Sequence, residues 1–478
     1  MISRRTFVSG LASTGLVGSA LGSESSGAAS GNRVRYSADV PVYGNYDVAV
    51  FGAGPAGIAA AIAAARAGKK TVLVEKYGSP GGVSTWGATP LFFRFADSDS
   101  NPTRQLVRGI ADEIVRELDR RGQTSLFRDC NCYEPSNERI GDRPLLSKVM
   151  APQEPLRLVY HDFLDKAGVE KLFMAHLSGV VREGRRVTAA IVDCLEGPRA
   201  IRAKVFVDAT GDAHLVHRAG AATVLPSPDE TMHKSIFFEV CGVKSHDVAA
   251  NWKKHGELKK AGKLPDMVWA FPGYTHYPEN DHYLIPIAYA VGDNCSSSDM
   301  TRMDAELRRR NWELLDFYRR NFEGYENAYW VNSAWQVGAR DGRHIVARKT
   351  FDRSIVKSDK LPEDGVVPTI RLWGLNHSTK QKEGFAAKVD SGLRKGVTQI
   401  PYGSLVPRDL DNVIVGGRCI GEETYVIGCT RMMPTCFATG QVAGTAAALA
   451  VEDAIEDIGT VSCPKLRKAL TSQGHILA

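Results

Sequence analysis

The stretch NYDVAVFGAGPAGIAAAIAAARAGKKTVLVE, residues 45–75, decides the fold of this chain. Residues 46–51 form a short apolar run rich in strand-forming side chains, which predicts a buried parallel strand. Residues 56–67 are nearly all Ala and Ile, which predicts a helix small enough to lie flush on a sheet, and Gly68 ends it. Residues 70–74 predict a second strand. Strand, helix and strand in this order indicate a parallel α/β sheet.

Three glycines in the spacing GxGxxG join the first strand to the helix. Gly52 allows the tight turn, Gly54 leaves room for a pyrophosphate against the backbone, and Gly57 lets helix and strand pack closely. The amides and the dipole of the helix N-terminus then face the phosphates. Glu75 follows about twenty residues later, where an acid accepts hydrogen bonds from ribose hydroxyls. The pattern predicts a dinucleotide site, and the alternative is a glycine-rich turn in another kind of α/β protein.

Composition narrows the class of protein. The chain has 478 residues, of which 43% are hydrophobic and 24% charged, as in soluble globular enzymes of two joined domains. A formal charge of +6 is small for this length, and no basic run with interleaved aromatics suggests a nucleic-acid partner. The cysteines show no CxxC pair or zinc-ligand spacing, so we expect no metal site.

The first 40 residues differ from the rest. Arg4 and Arg5 precede a weakly apolar stretch, residues 7–22, in an arrangement that resembles a twin-arginine export signal. The stretch is too short and polar for a stable membrane span. We therefore expect residues 1–40 to be a signal peptide and linker, the export machinery to be a partner, and the mature protein to be exported to a bacterial periplasm. The alternative is a disordered basic tail.

The remaining chain contains further cofactor-type motifs. Paired glycines and small hydroxyl residues, 81–85, predict a loop that approaches a flat ligand closely. A strand at 203–208 leads into the turn Ala209-Thr210-Gly211-Asp212, and another at 412–415 ends in Gly416-Gly417-Arg418. Residues 437–450 predict a small-residue helix whose N-terminal amides, near 433–436, face whatever precedes it.

Other elements are predicted from periodicity. Residues 103–121 and 155–167 predict helices. Residues 171–182 and 187–194 predict strands joined by a hairpin turn.

These motifs, in this order, resemble the FAD-dependent oxidoreductases of the glutathione-reductase-like fold, and most closely the branch of fumarate-reductase-like and thiazole-synthase-like flavoproteins. The resemblance implies an α/β fold, a Rossmann-like FAD-binding domain with an inserted α+β substrate cap. It places FAD-binding parts at residues 41–225 and 400–478. The aromatic-rich residues 226–399, where the resemblance is poor, then form the cap.

The resemblance also implies a set of FAD-binding residues. The pyrophosphate would lie at the turn that includes Pro55 and Ala56, and the ribityl chain along the paired-glycine loop. In many relatives an acid follows the last glycine pair, so Arg418 is a departure that could instead neutralise a phosphate. The expected residues are Gly52, Gly54, Pro55, Ala56, Gly57, Glu75, Lys76, Gly81, Gly82, Val83, Ser84, Thr85, Ala209, Thr210, Gly211, Asp212, Gly417, Arg418, Met433 and Thr435.

Candidate catalytic residues lie in the cap. Arg340 and Arg343 can hold a polar or anionic substrate at two points, as an arginine does in similar flavoproteins. His344 and His377 are candidate bases, with His282 and the pair Glu422-Glu423 as further options. The alternative for either arginine is a structural ion pair with Asp341 or Glu422.

We therefore predict an exported enzyme that moves a hydride between flavin N5 and a small polar, sugar-like or cyclic substrate. No second GxGxxG follows for NAD(P)H, so the electron acceptor or donor is unidentified. The alternatives are an FAD-dependent lyase or isomerase without net redox change, and a flavin electron-transfer partner protein.

Overall fold

The computed structural model describes residues 37–89, 91–97, 104–123, 135–140, 143–146, 148–244, 247–265, 275–277, 282–285, 288–374 and 392–477. Val40–Ala478 forms one compact unit. The domain boundaries predicted at residues 225 and 399 remain predictions. The proposed export signal and His377 lie outside the described residues.

The strands are numbered in chain order. They are β1 Val42–Phe51, β2 Thr71–Val74, β3 Leu91–Phe93, β4 Ala96–Asp97, β5 Arg104–Gln105, β6 Pro135–Ile140, β7 Arg143–Leu146, β8 Lys148–Met150, β9 Glu170–Leu172, β10 His176–Glu183, β11 Arg186–Cys194, β12 Gly197–Asp208, β13 Thr223–Val224, β14 Lys234–Ser235, β15 Phe238–Cys241, β16 Thr275–Tyr277, β17 His282–Ile285, β18 Tyr289–Ala290, β19 Tyr329–Ser333, β20 His344–Ile345, β21 Gly365–Trp373, β22 Gly392–Pro401 and β23 Val413–Val415.

The helices are numbered in the same way. They are α1 Pro55–Arg66, α2 Ile110–Arg120, α3 Gln153–Ala167, α4 His214–Arg218, α5 Val248–Lys260, α6 Ser297–Asn321, α7 Arg353–Lys357, α8 Ile427–Thr430, α9 Met433–Glu452 and α10 Cys463–Ser472.

A seven-stranded sheet organises the fold. Its order is β10-β11-β12-β1-β2-β9, with β23 also paired to β12. The pairs β12–β1, β1–β2, β2–β9 and β12–β23 are parallel, as predicted for a Rossmann-like domain. The last residues of β1, Val48 to Phe51, are at most 1% exposed, because both faces of the sheet are covered. The predicted α/β fold class is confirmed.

Two small-residue helices cross tightly on this sheet. A Cβ on Gly440 of α9 would lie 2.0 Å from the carbonyl oxygen of Ala56, and one on Gly444 would lie 2.1 Å from that of Ala60. Real side chains never approach so closely, so glycine in α9 sets the distance between α9 and α1. This crossing aligns the N-termini of both helices with the ends of the parallel strands.

Two predicted elements are wrong in extent. The helix expected over 103–121 begins only at Ile110, because Gly109 adopts φ +69° and the Ile110 N–H donates to the Gln441 side chain. The strand expected over 171–182 is divided into β9 and β10 at Met174, where φ is +56°. The hairpin between β10 and β11 is confirmed.

Two further buried clusters lie largely in residues 226–399. One consists of residues between Phe238 and Ala328, and the other packs Ala88, which follows the paired-glycine loop, against residues between Ile236 and Val337. Within the described part of the chain, no helix has the length and apolar character needed to cross a bilayer.

Candidate functional site

Glycine occurs at positions 52, 54 and 57 of the first turn for different reasons. Gly52 adopts φ +94°, and a Cβ there would lie 2.5 Å from the Ala209 carbonyl oxygen. A Cβ on Gly57 would lie 1.7 Å from the Gly52 carbonyl oxygen. A Cβ on Gly54 would meet nothing within 4 Å. The protein therefore needs glycine at 52 and 57 for its own packing, whereas the side of Gly54 that a Cβ would occupy is open to a ligand.

Glu75 holds this turn in place. Its carboxylate accepts hydrogen bonds from the Ala53 N–H (2.6 Å) and the Tyr77 N–H (3.1 Å). Burial raises the pKa of Glu75, and the two amide bonds oppose that shift. Gly54 is the N-cap of α1, with no side-chain cap. The first amides of α1 and a buried acid thus lie together, while Lys76 is exposed.

The paired-glycine loop lies directly on the first turn. The Gly81 N–H donates to the Ala53 carbonyl oxygen (2.7 Å), and a Cβ on Gly82 would lie 2.9 Å from Gly54 Cα. The hydroxyls of Ser84 and Thr85 donate to the Gly81 and Pro80 carbonyl oxygens (2.7 and 2.9 Å). These hydroxyls shape the loop, and Val83 beside them is half-buried.

The turn at residues 209–212 and the turn at residues 416–418, the third and fourth cofactor loops, meet through a salt bridge. The guanidinium Nη2 of Arg418 donates to Asp212 Oδ2 (2.8 Å), and Asn294 Nδ2 donates to Asp212 Oδ1 (2.7 Å). Burial lowers the pKa of Arg418, but the charge and hydrogen bond of Asp212 outweigh it and raise that pKa. Arg418 stands where many relatives have an acid. It is paired here with Asp212, an acid of the turn at residues 209–212.

Backbone contacts fix the same two loops. The Ala209 N–H donates to the Phe51 carbonyl oxygen (2.8 Å), and the Gly417 N–H donates to Thr439 Oγ1 (2.9 Å). Thr210 donates its hydroxyl to Asp208 (2.7 Å). Gly211 packs on Arg418, since a Cβ there would lie 3.4 Å from its guanidinium nitrogens.

The long helix α9 follows the four cofactor loops in the chain. Its N-cap, Met432, supplies no side-chain hydrogen bond, and proline occupies the first turn. Its Cys436 N–H is bonded to the Met432 carbonyl oxygen (2.9 Å). Met433 and Thr435 are both buried. The start of α9 is thus a second buried helix N-terminus with amides available to a ligand.

Residues 338–344 pack against these loops. A Cβ on Gly342 would lie 2.1 Å from Asp212 Oδ1, 2.5 Å from Asn294 Nδ2 and 3.0 Å from Arg418 Nη1. Glycine therefore lets the predicted catalytic segment pack against the Asp212–Arg418 pair.

His344 is buried between two acids. Its Nε2 lies 2.9 Å from Asp341 Oδ1, and its Nδ1 lies 3.5 Å from Glu422 Oε1. Burial lowers the pKa of His344, but the hydrogen bond and charge of Asp341, with the charge of Glu422, outweigh burial and raise it. Burial raises the pKa of Glu422 to about 8. The charge of His344 opposes that shift most, followed by the hydroxyl of Thr430.

The two predicted arginines, Arg340 and Arg343, donate to backbone carbonyl oxygens. Arg340 Nη1 donates to the His233 carbonyl oxygen (2.9 Å). Arg343 Nη1 donates to the Asp212 carbonyl oxygen (3.4 Å), and among the described residues Arg343 forms no ion pair with Asp341 or Glu422. The side chain that contacts Asp341 and Glu422 is that of His344.

Lys234 was missed by sequence reasoning. Its side chain is fully buried, and its ammonium donates to Thr231 Oγ1 (2.6 Å). Burial lowers the pKa of Lys234 to about 8, with Asp341 opposing that shift. A single lysine in a polar segment has no local pattern that marks it as buried. The described residues contain no group of three or more His, Cys, Asp and Glu that could hold a metal.

The residues present fit a bound FAD. Four loops and two helix N-termini converge, Gly54 is open on one side, and an acid follows β2 as a ribose contact requires. The individual contacts of these residues with FAD remain predictions.

Among solved structures, the chain is similar to a geranylgeranyl bacteriochlorophyll reductase-like protein from Thermoplasma acidophilum (15% identity, 90% of this chain and 84% of that one, TM-score 0.47). It is also similar to the flavin-dependent brominase Bmp2 (16%, 89% and 83%, 0.41) and to CabE, an aromatic hydroxylase from angucycline biosynthesis (15%, 90% and 69%, 0.42). At these TM-scores the similarities add no argument.

No curated protein sequence gives a significant match. Residues 47–470 match the family model described as FAD dependent oxidoreductase, which covers most of the chain. The protein belongs to the FAD-dependent oxidoreductase family, and its cofactor is FAD.

Proposed function

We propose that this protein is an exported oxidoreductase that transfers a hydride between flavin N5 and a small polar substrate, and that His344 and Glu422 handle the accompanying proton. The observation that carries the proposal is the buried His344, held between Asp341 (2.9 Å) and Glu422 (3.5 Å) on elements that flank the cofactor loops. Buried acids and bases with shifted pKa values concentrate at functional sites.

The residues that would hold FAD are those of the four loops. The turn at 52–57 and the first amides of α1 would face its phosphates, Glu75 its ribose, and the start of α9 its flavin ring. When bound, FAD supplies the centre that gains or loses two electrons. Donors fixed at the start of α9 stabilise negative charge that appears beside them without having to reorganise.

The acid–base group has the properties that proton transfer at neutral pH requires. Because its pKa is raised to about 8, Glu422 holds a proton at pH 7. Asp341 keeps His344 protonated more readily than a free histidine. A substrate that loses a hydride must also lose a proton, and one that gains a hydride must gain a proton. His344 and Glu422 can exchange that proton, with Asp341 orienting the imidazole.

A sugar-like or cyclic substrate is supported by aromatic side chains beside the paired-glycine loop. Trp335 is 74% exposed, and its ring meets that of Trp86 edge to face (centroids 5.9 Å apart). The backbone N–H of Trp335 donates to the Trp86 carbonyl oxygen (2.9 Å), and the hydroxyl of Tyr77 donates to the side chain of the next residue, Gln336. An exposed indole held by several contacts is a surface on which flat or cyclic groups stack.

Export, the electron acceptor or donor and the finer family branch are proposed from the sequence alone. Arg4 and Arg5 precede a weakly apolar segment in the manner of a twin-arginine signal, which carries folded proteins to the periplasm. Cofactor insertion before export is compatible with that route. Replacing both arginines by lysine should trap flavin-loaded protein in the cytoplasm, as cell fractionation would show. Unchanged export would contradict this part of the proposal.

An anaerobic screen tests the activity. Purified protein is mixed with polar metabolites, including sugars and cyclic alcohols, and flavin absorbance is followed. A substrate should bleach the flavin in the wild type, and bleaching in Glu422→Gln should be at least tenfold slower, with flavin content unchanged. Glu423→Gln, which removes an adjacent carboxylate paired with Arg353, is the matched control. Equal rates in Glu422→Gln and the control would remove Glu422 from proton transfer. Redox exchange only with a partner protein would favour electron transfer instead.

A further inference from the structure

One side of helix α3 lies against the paired-glycine loop and the residue after it. Tyr160 Oη lies 3.0 Å from Ser84 Oγ, and both side chains are fully buried. One turn earlier on α3, the guanidinium of Arg157 lies over the ring of Trp86, 4.8 Å from its centroid. Residues three positions apart on a helix lie on the same side. A single side of α3 therefore contacts both Ser84 and Trp86.

The hydrogen bonds run from α3 into the loop. Ser84 donates its hydroxyl proton to the Gly81 carbonyl oxygen (2.7 Å), so its oxygen accepts from the hydroxyl of Tyr160. Burial raises the pKa of Tyr160, so the phenol keeps the proton that it donates. Ser84 is 0% exposed and makes both of these bonds within the protein. Its side chain therefore supports the loop from within.

The loop needs such support because of its backbone conformation. Gly81 and Gly82 adopt φ +122° and +52°. Glycine loses more conformational freedom on ordering than any other residue, so two in succession are costly to fix. The Gly81 N–H is bonded to the Ala53 carbonyl oxygen (2.7 Å). The loop is thus held by the first turn at its backbone and by α3 at Ser84.

Tyr160 also contacts the helix that completes the group of cofactor loops. Its ring lies against that of Phe437 in α9, with centroids 6.2 Å apart, and Phe437 stacks on Phe92 (6.3 Å). Phe437 is buried and lies four residues after Met433, the first residue of α9. Tyr160 therefore joins the paired-glycine loop to the start of α9.

We propose that Tyr160 is a positioning residue for the cofactor. Through Ser84 it fixes the paired-glycine loop in the conformation that FAD binds, and through Phe437 it fixes the start of α9 relative to that loop. A site held in its bound conformation in advance binds more tightly, because less order has to be gained on binding. The inference goes beyond the proposed function, since Tyr160 takes no part in proton transfer.

The dissociation constant of FAD tests this role. It is measured by diluting the FAD-loaded protein and following the fluorescence of released flavin. Tyr160→Phe keeps the ring against Phe437 and removes only the hydroxyl, so FAD should bind about fivefold more weakly. Ser84→Ala should weaken binding at least as much, because it also removes the bond to Gly81. Adding Tyr160→Phe to Ser84→Ala should cause no further loss, since the Tyr160–Ser84 bond is already absent.

Tyr402→Phe is the matched control. Tyr402 is 3% exposed, and its hydroxyl donates to the Ile458 carbonyl oxygen (2.6 Å), an acceptor outside the four cofactor loops. Both Tyr→Phe changes remove one buried hydrogen bond, so both should lower the melting temperature. Only Tyr160→Phe should weaken FAD binding and change the visible circular dichroism of the bound flavin.

Two results would overturn the proposal. One is that Tyr160→Phe matches Tyr402→Phe in both FAD affinity and flavin circular dichroism. The other is that Tyr160→Phe weakens FAD binding as much in the Ser84→Ala background as in the wild type. No substrate enters these measurements, so their outcome is independent of the proposed reaction.

Discussion

The glycine-lined turns at the start of α1 and the charged segment 338–344 are both buried, but they are specified in opposite ways. At the start of α1, an added methyl group would lie 2.5 Å from a backbone atom at Gly52 and 1.7 Å from one at Gly57, and at Gly440 of α9, which crosses α1, it would lie 2.0 Å from one. In the charged segment, Asp341, His344 and their neighbours fill the space, and several of their polar atoms have no hydrogen bond.

The glycine turns are specified by close steric packing, and residues 338–344 are specified by the pairing of buried charges. Close packing is enforced by repulsion, which acts over tenths of an ångström and tolerates no substitution. Buried charge is tolerated only through pairing, and groups left unpaired have shifted pKa values. The first region suits a cofactor that is held permanently, and the second suits groups whose protonation changes.

The largest expected effect comes from breaking the salt bridge between Asp212 and Arg418, against which residues 338–344 pack. Asp212→Ala leaves Arg418 as an unpaired, largely buried cation, so the free energy of unfolding should fall by about 3–5 kcal/mol. Asp359→Ala is the control: Asp359 contacts Arg371 and Arg394, but its side chain is 76% exposed. The control should lose much less stability in denaturant unfolding, because exposed ion pairs contribute little. Equal losses would mean that the Asp212–Arg418 pair is not buried as described.

Adding a single methyl group tests whether the close crossing of α9 and α1 requires glycine. Gly440→Ala places a Cβ 2.0 Å from the Ala56 carbonyl oxygen, so α9 must move away from α1 and the free energy of unfolding should fall by about 1–3 kcal/mol. Gly256→Ala, in α5 with nothing within 4 Å of the added Cβ, should instead stabilise the protein by about 0.5–1 kcal/mol. If both changes had the same sign, close helix crossing would not explain the glycines of α9.

Gly54→Ala should separate cofactor binding from folding. The new Cβ has open space, and φ −75° suits alanine, so the free energy of unfolding of the FAD-free protein should change by less than about 0.5 kcal/mol. FAD should nevertheless bind at least about tenfold more weakly, a difference of about 1.4 kcal/mol, because the methyl group enters the space beside the pyrophosphate. Fluorescence titration of the FAD-free protein measures this. Unchanged affinity would place the phosphates elsewhere.

The last prediction concerns the slope of stability against pH. The folded protein keeps the Glu422 proton up to about pH 8, whereas the unfolded chain releases it near the ordinary pKa of 4.5. The folded state therefore binds more protons between these values, and stability falls as pH rises through this window, by at most about 1.4 kcal/mol per pH unit from this group. His344, whose pKa is also raised, acts in the same direction above its ordinary value of 6.5.

Glu422→Gln should flatten this slope. Denaturant unfolding at several pH values between 5 and 8 measures it for both proteins, with Glu423→Gln as the half-exposed control. A slope in Glu422→Gln equal to that of the wild type would show that Glu422 ionises normally in the folded protein.

The sequence by itself determined the βαβ unit, the position of the glycine turns and the family. These features depend on local rules: strands alternate with a helix of small residues, and Gly52 and Gly57 have no substitutes at their backbone positions. The extents of α2 and β10 were wrong because Gly109 and Met174 adopt positive φ in response to tertiary contacts, which periodicity does not reveal.

Only the tertiary structure decided which charges meet. Asp212 pairs with Arg418, 206 residues away, and Glu422 reaches His344 from another loop. Arg343 donates to the Asp212 carbonyl oxygen and, among the described residues, forms no ion pair. Lys234 is buried by elements that no sequence pattern connects. Electrostatic partners are determined by proximity in space, which chain order does not encode. The requirement for glycine at Gly52 and Gly57 is already present in the local backbone, through the positive φ of Gly52 and the contact of Gly57 with the Gly52 carbonyl oxygen.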